Sequence, residues 1–204
     1  MYNIFLFSNS TDPKSIKVLE ENIPDLYTKN IAYIETGNSG YGYDVGFTPH
    51  SQEFVESKFA NFEIIDIDSN EFASGSLTKV ISLQEKLLKF DILLLSGGLP
   101  GYLKYWLDRY DFGPLLKKFL SQNGIYIGSS ASSMVMASSF KCAQVELDDE
   151  MEIGASNFQG FGFVEGEIWP HYQDEHEDTL AKFEKENDLK ITRLRDGEGI
   201  YLTY

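Results

Sequence analysis

Asn123 to Met136 reads NGIYIGSSASSMVM, and the architecture of the chain turns on it. Gly124-Ile125-Tyr126-Ile127 is a short β-rich apolar run entered through a turn, and the residues behind it are small and hydroxylated before they give way to Met134-Val135-Met136. That pattern reads as strand, tight turn, helix. A serine placed where a strand breaks into a helix is lifted clear of its neighbours. It faces the helix's unpaired N–H groups, which favour developing negative charge. Ser130 holds that place and is the candidate nucleophile. Gly128-Ser129-Ser130-Ala131-Ser132 has the form of the nucleophile elbow G-x-S-x-G, in which the residues flanking the serine at two removes must be small because chain segments crowd there. Ser132 stands where the second glycine is usual. Helix starts rich in Ser and Ala also serve as N-caps and close-packing surfaces, so the rest of the chain has to agree before the motif carries chemistry.

Upstream, Phe90 to Leu95 is an apolar run of the kind found at the centre of a parallel sheet, and it leads into Ser96-Gly97-Gly98-Leu99-Pro100-Gly101. A glycine pair at the carboxyl end of a central strand lets backbone approach a ligand and aims N–H groups at it, which makes this turn the natural oxyanion partner of Ser130. No Gly-Lys-Ser/Thr follows and no G-x-G-x-x-G is present, so neither a P-loop nor a dinucleotide fingerprint is found.

The remaining chain alternates in the same way. Ile4 to Phe7, Ile31 to Ile34 and Phe62 to Ile67 read as strands, and helical spacing follows at Ile16 to Ile23, from Ser51-Gln52-Glu53 through Phe59, and over Leu77 to Leu88. Further helices are expected around Tyr102 to Leu107, over Pro114 to Leu120, and from Asp174 to about Lys185. Asp66, Asp68 and Glu71 read as solvating a strand end. The Gly- and Tyr-rich loop Glu35 to Tyr43 reads equally as a pocket wall or a surface loop. Asp196-Gly197, between Ile191–Leu194 and Gly199–Leu202, signals a hairpin at the end of the chain. The expectation is an α/β fold: one doubly wound, mostly parallel sheet with helices on both faces and a terminal β-hairpin, in a single domain over residues 1–204. Ligands in such sheets sit at the carboxyl ends of the strands, where both the Gly97-Gly98 turn and Ser130 fall.

A net charge of −15 and a pI near 4.5 leave no basic patch for nucleic acid. One cysteine excludes an intrachain disulfide framework, and three histidines form no zinc-ligand spacing, so neither a metal nor another cofactor is expected. No signal peptide or membrane span is visible, and the expected location is the cytoplasm. An edge strand or exposed aromatics leave room for a homodimer. Of the histidines, His171, close behind the apolar Ile168-Trp169-Pro170, is the better general-base candidate. His176 lies in a charged segment as a surface or substrate-side residue, and His50 in a loop or helix start.

Taken in this order, Gly97-Gly98 after a buried strand, Tyr126-Ile127-Gly128-Ser129-Ser130-Ala131, and Pro170-His171-Tyr172 about forty residues on resemble peptidase E, the α-aspartyl dipeptidase family of serine peptidases, with cyanophycinases as wider relatives. The resemblance spans most of the chain. It implies a fold similar to class I glutamine amidotransferases, with Ser130 as nucleophile, His171 as base, and the N–H groups of Gly98 and Ala131 as the oxyanion hole. The family's acidic member lies between the serine and histidine motifs, which maps it onto the run Glu146 to Glu150. Asp148 is the choice there, with Glu146, Asp149 and Glu150 open. The implied substrate is a small peptide, with Asp-X dipeptides the leading class.

Three departures bear on that reading. Leu99-Pro100 follows Gly98 where the family's Gly-Gly is followed by Asn and then Thr or a similar residue, Ser130-Ala131-Ser132 replaces Ser-Ala-Gly, and Asp174 to Lys185 offers acids and only lysines at its end where a substrate carboxylate needs a cation. The first two motivate an alternative, a catalytically impaired member that binds or regulates through a small ligand. A third reading, an amidotransferase-like cysteine enzyme, has only Cys142 to offer, well past the elbow.

Overall fold

The computed structural model describes residues 3–39, 48–68, 76–145 and 158–204, with backbone alone at 38–39 and 48–51. Five parallel strands carry the molecule: β1 (Ile4–Phe7), β2 (Asn30–Ile34), β3 (Asn61–Ile65), β4 (Ile92–Leu95) and β5 (Ile125–Ser129). A sixth, β8 (Gly199–Leu202), lies antiparallel against β1, giving the order β3-β2-β4-β5-β1-β8. The helices are α1 (Pro13–Asn22), α2 (Thr36–Ser39), α3 (Thr48–Lys58), α4 (Leu77–Leu87), α5 (Pro100–Arg109), α6 (Phe112–Ser121), α7 (Ala131–Met134) and α8 (Glu177–Asn187).

Alternation along the strands divides the core. Phe5, Phe7, Tyr33 and Ile127 turn to one face, where Leu19, Phe54 and Val55 of α1 and α3 cover them. Ile4, Leu6, Ala32, Leu93, Leu95 and Tyr126 turn to the other, beneath α4, α5, α6 and α8. In α6 the buried residues are Phe112, Leu115, Leu116, Phe119 and Leu120, the i, i+3, i+4, i+7, i+8 stripe of a helix with one apolar face. Each such side chain stabilises the fold by roughly 1.5–3 kcal/mol on burial. At α1, the Asp12 carboxylate accepts from Lys14 N–H and Pro13 occupies the first helical position, so the helix begins where sequence signals place it.

The expected doubly wound sheet with helices on both faces is thus present. The end of the chain differs from the hairpin expected. β6 (Glu167–Trp169) and β7 (Ile191–Arg193) form a separate parallel pair, while β8 leaves for the main sheet. The Asp196-Gly197 turn therefore joins two sheets, β8 taking the edge of the main sheet beside β1 and β7 pairing with β6. Among the described residues, no helix is long and apolar enough to cross a membrane.

Candidate active site

The carboxyl ends of β1, β4 and β5 lie side by side, and the chain breaks at all three. After β5, Ser130 takes φ 53°, ψ −115°, a conformation costly for a residue with a Cβ, and α7 starts at the next residue. Hydrogen bonds hold it there. Ser130 N–H donates to the carbonyls of Phe7 and Ser8, each at 3.0 Å, and Ser130 C=O accepts from Ser133 and Met134 N–H.

The neighbouring hydroxyls tie the elbow to three other segments. Ser129 Oγ accepts from Ser10 N–H at 3.0 Å, and Ser133 Oγ donates to Phe7 C=O at 2.8 Å. Ser132 Oγ accepts from Ser129 N–H at 2.7 Å and reaches Leu95 C=O, at the end of β4, at 2.8 Å. Ser132 is fully buried, so the hydroxyl that departs from the elbow motif is accommodated and put to structural use. Gly128 keeps this crossing close, since a Cβ there would stand 3.1 Å from the Ser132 backbone, tighter than an ordinary contact.

His171 follows β6 and Pro170 in the left-handed region, with φ 52°. Its Nε2 lies 3.1 Å from Ser130 Oγ and its Nδ1 2.7 Å from Asp196 Oδ1. A carboxylate only accepts, so Nδ1 carries the hydrogen and Nε2 is left to accept from the serine hydroxyl. The His171 and Asp196 side chains are each about half exposed, at 51% and 48%, so the site opens to solvent and a substrate can enter. Beneath them Ser8 is buried. Its Oγ accepts from His171 N–H and donates to Asp196 Oδ1, both at 2.7 Å.

Ser130 and His171, expected to work together, are therefore in hydrogen-bond contact. Asp148, with Glu146, Asp149 and Glu150, lies outside the described residues, and the place expected of it at Nδ1 is filled by Asp196. Sequence reading passed over Asp196 because it looked like turn chemistry. The signal was present in that the Asp-Gly turn follows a strand paired with the one that delivers His171.

Gly98 adopts φ 116°, which only glycine takes readily, at the turn out of β4. A Cβ on its neighbour Gly97 would lie 3.1 Å from Ser130 Cβ, so this turn and the elbow are in contact. Ala131 is the first residue of α7, where an N–H has no acceptor within its own helix. Leu99, the N-cap of α5, is buried and donates its N–H to Gly37 C=O at 3.0 Å, and Pro100 starts the helix, so the pair that departs from the family pattern packs the turn against α2.

His50 lies within α3, and its side chain is not described. His176 caps a short 3₁₀ turn, with Nδ1 accepting from Gln173 N–H at 3.1 Å, beside the rings of Trp169 and Tyr172. Cys142 is fully buried, and burial, aided by nearby Glu167, pushes its thiol well above the ordinary range, the opposite of an activated nucleophile. Glu167, itself buried, accepts from Lys141 N–H at 3.0 Å and Cys142 N–H at 2.7 Å.

At the far side of the strand ends, Asp68 was expected to do no more than solvate. It is half buried, accepts from Tyr102 O–H, and is pushed up to about 7 by burial and by Asp66. Burial and Asp66 also raise Glu35. Among the described residues, no group of His, Cys, Asp and Glu is arranged to hold a metal ion.

A family model described as peptidase family S51 matches residues 4–203. The uncharacterized peptidase Lmo0363 of Listeria monocytogenes is 23% identical over 174 residues, spanning 85% of this chain and 80% of its own. In structure, the chain is similar to a peptidase E candidate from Listeria monocytogenes EGD-e, with a TM-score of 0.79, 20% identity, and coverage of 99% of this chain and 94% of that one. A peptidase from an acI-B1 actinobacterium gives a TM-score of 0.50 at 17% identity, covering 87% and 74%. At these identities the two structures speak for the fold alone.

Proposed function

The chain belongs to peptidase family S51, a serine-type peptidase of the peptidase E kind, and on that premise we propose that it hydrolyses small peptides through Ser130, His171 and Asp196. The observation that carries this reading is the continuous chain of contacts from Ser130 Oγ through the His171 ring to Asp196, at 3.1 and 2.7 Å. A serine hydroxyl is a weak nucleophile at its free pKa, so His171 Nε2 takes its proton as Oγ attacks the scissile carbonyl carbon. Asp196 holds the imidazole in the Nδ1–H tautomer and stabilises the imidazolium that forms.

The tetrahedral oxyanion is assigned to the N–H groups of Gly98 and Ala131. Ser130 N–H is already engaged by Phe7 and Ser8 carbonyls, which supports Ala131 as the donor from the elbow. Each such donor is worth roughly 3 kcal/mol in comparable enzymes. His171 then protonates the leaving amine, the C–N bond breaks, and an acyl ester remains on Ser130. Water, deprotonated by the same ring, attacks the ester carbon; the C–Oγ bond breaks, the acid product leaves, and His171 delivers the proton to Oγ.

For an Asp-X dipeptide the substrate carboxylate needs a cation. Arg195, adjacent in sequence to Asp196 and with its guanidinium 4.8 Å from the centre of the Tyr172 ring, is assigned as that cation, the substrate carboxylate taking the place of Asp174 in the ion pair that Arg195 makes. The reaction is assigned to the cytoplasm, in keeping with a single, buried, free cysteine.

The test is hydrolysis of Asp-X, Glu-X and neutral dipeptides by the wild type and Ser130→Ala, together with labelling by a serine-directed fluorophosphonate. Turnover and labelling that both vanish in the variant support the reading. Turnover that survives removes Ser130 from the mechanism.

A further inference from the structure

We propose that Ser8 is a positioning residue for the Ser130–His171–Asp196 system, setting the geometry of all three through one buried side chain and its backbone. The assignment rests on the serine-peptidase reading above. Four contacts carry it. Ser8 Oγ accepts from the backbone N–H of His171 at 2.7 Å, and the same hydroxyl donates to Asp196 Oδ1 at 2.7 Å. Ser8 C=O accepts from Ser130 N–H at 3.0 Å, and Ser8 N–H donates to Glu198 C=O at 3.1 Å. Ser8 is fully buried, at 0% exposure, so no water substitutes for the hydroxyl.

Each contact answers a specific need. His171 sits at φ 52°, a conformation that a residue with a side chain keeps only when its surroundings hold it, and the Ser8 hydroxyl is the acceptor that fixes its N–H. Asp196 stands on a turn, half exposed, and would otherwise swing about its own bonds. The Ser8 hydroxyl bonds the same Oδ1 that receives His171 Nδ1–H, so two donors fix this one carboxylate oxygen. The hydroxyl has one hydrogen and two lone pairs, so donating to Asp196 while accepting from His171 uses it consistently. Sequence placement explains why a serine does this. Ser8 is the first residue past β1, the strand that lies between β5 and β8, so the segments that carry Ser130, His171 and Asp196 all come within reach of it.

The charged groups on the elements around His171 include Glu167 on β6, Arg193 on β7, Arg195, Asp196 and Glu198 on the closing turn, and Asp174, Glu175 and Glu177 on the helical segment beyond Tyr172. Replacing Ser8 adds and removes no charge, and what it takes from Asp196 is the hydrogen bond that holds the carboxylate in place.

The test compares wild type, Ser8→Ala and Ser8→Thr, with Ser8→Cys as the substitute should alanine fail to fold, because a thiol fills the space while donating and accepting weakly. Two readouts are needed. The first is the rate of fluorophosphonate labelling of Ser130, expected to fall about tenfold or more in Ser8→Ala and to recover in Ser8→Thr, which keeps the hydroxyl. The second is the downfield proton NMR signal of His171 Nδ1–H, read in the absence of any substrate. It should be sharp in the wild type and lost or broadened in Ser8→Ala, as a loosened Asp196 lets that proton exchange with water.

Wild-type labelling rate and an unchanged signal in Ser8→Ala overturn the assignment. So does a lowered melting temperature with the signal intact, which marks a purely structural serine. Wild type that fails to label at all counts against the serine-peptidase reading, while the NMR comparison still decides whether Ser8 positions the ring.

Discussion

Asp196 reaches His171 across a turn that joins two different sheets: Oδ1 lies 2.7 Å from Nδ1, although β7 on one side of the turn pairs with β6 and β8 on the other pairs with β1. The imidazole and the carboxylate therefore leave the adjacent ends of β6 and β7, and the turn that carries Asp196 is closed on its far side by β8 joining β1. Asp196→Asn is the sharpest test of this contact. Asparagine fits the space, but its amide nitrogen favours the tautomer with hydrogen on Nε2, and turnover should fall by roughly 10⁴-fold while the fold persists. Asp148→Asn, assayed beside it on the same dipeptide panel, should retain activity. Loss confined to Asp148→Asn would return the role to the acidic run.

Gly37 and Gly97 meet more closely than any side chain allows. A Cβ on Gly37 would stand 2.3 Å from the Gly97 carbonyl oxygen, and one on Gly97 would stand 3.1 Å from Ser130 Cβ. The first displaces the Gly97-Gly98 turn from below; the second presses it against the elbow. Gly97→Ala should lower kcat/KM by up to about tenfold, because a Cβ 3.1 Å from Ser130 Cβ makes the elbow give by a few tenths of an ångström beside the reacting hydroxyl, with little change in melting temperature. Circular dichroism and a kinetic assay on the same sample separate the two effects. An alanine variant with full activity would show that this turn does not set the oxyanion geometry.

Elements whose identity follows from local chemistry were readable in the sequence. The buried runs at Ile4–Phe7 and Ile92–Leu95, the Asp12-Pro13 helix start and the strand-to-helix break at Ser130 each announce themselves within a few residues. What escaped depends on pairing at a distance. Asp196 resembled a hairpin turn because Asp-Gly favours a reversal wherever it occurs, and nothing local says that the strands on either side belong to different sheets. Ser8 lay in a polar loop like many others, and its task is set by groups 163 and 188 residues away. Ser132, read as a departure that weakens the elbow, proved to be bonded on both sides.

Asp68 makes stability depend on pH. Burial and then Asp66 push its carboxyl up to about 7, so the folded protein binds that proton more tightly than the unfolded chain does. The unfolded state therefore binds fewer protons between about 4 and 7, and stability falls as pH rises through this window. Asp68→Asn retains an oxygen for the Tyr102 hydroxyl and has no charge to bury. Its melting temperature should match the wild type near about pH 4 and exceed it by a few degrees near about pH 8.5. Equal values at both pH values would mean that the carboxyl titrates as it does in the unfolded chain.

Ser132→Gly restores the residue that the elbow motif calls for, and it should make this protein worse. The hydroxyl at 132 is buried, takes the Ser129 N–H at 2.7 Å and reaches the Leu95 carbonyl at 2.8 Å, so its removal leaves a buried donor at the elbow without its partner. Such a loss costs about 1–3 kcal/mol. Glycine in the first turn of α7 adds roughly 0.5–1 kcal/mol relative to alanine. Urea unfolding should thus rank wild type above Ser132→Ala and Ser132→Ala above Ser132→Gly. The same order should hold for fluorophosphonate labelling, since Ser130 is kept at its strained φ by the segments that Ser132 joins. A glycine variant as stable as the wild type would mean that the buried groups find other partners, and that the serine at 132 is a neutral replacement.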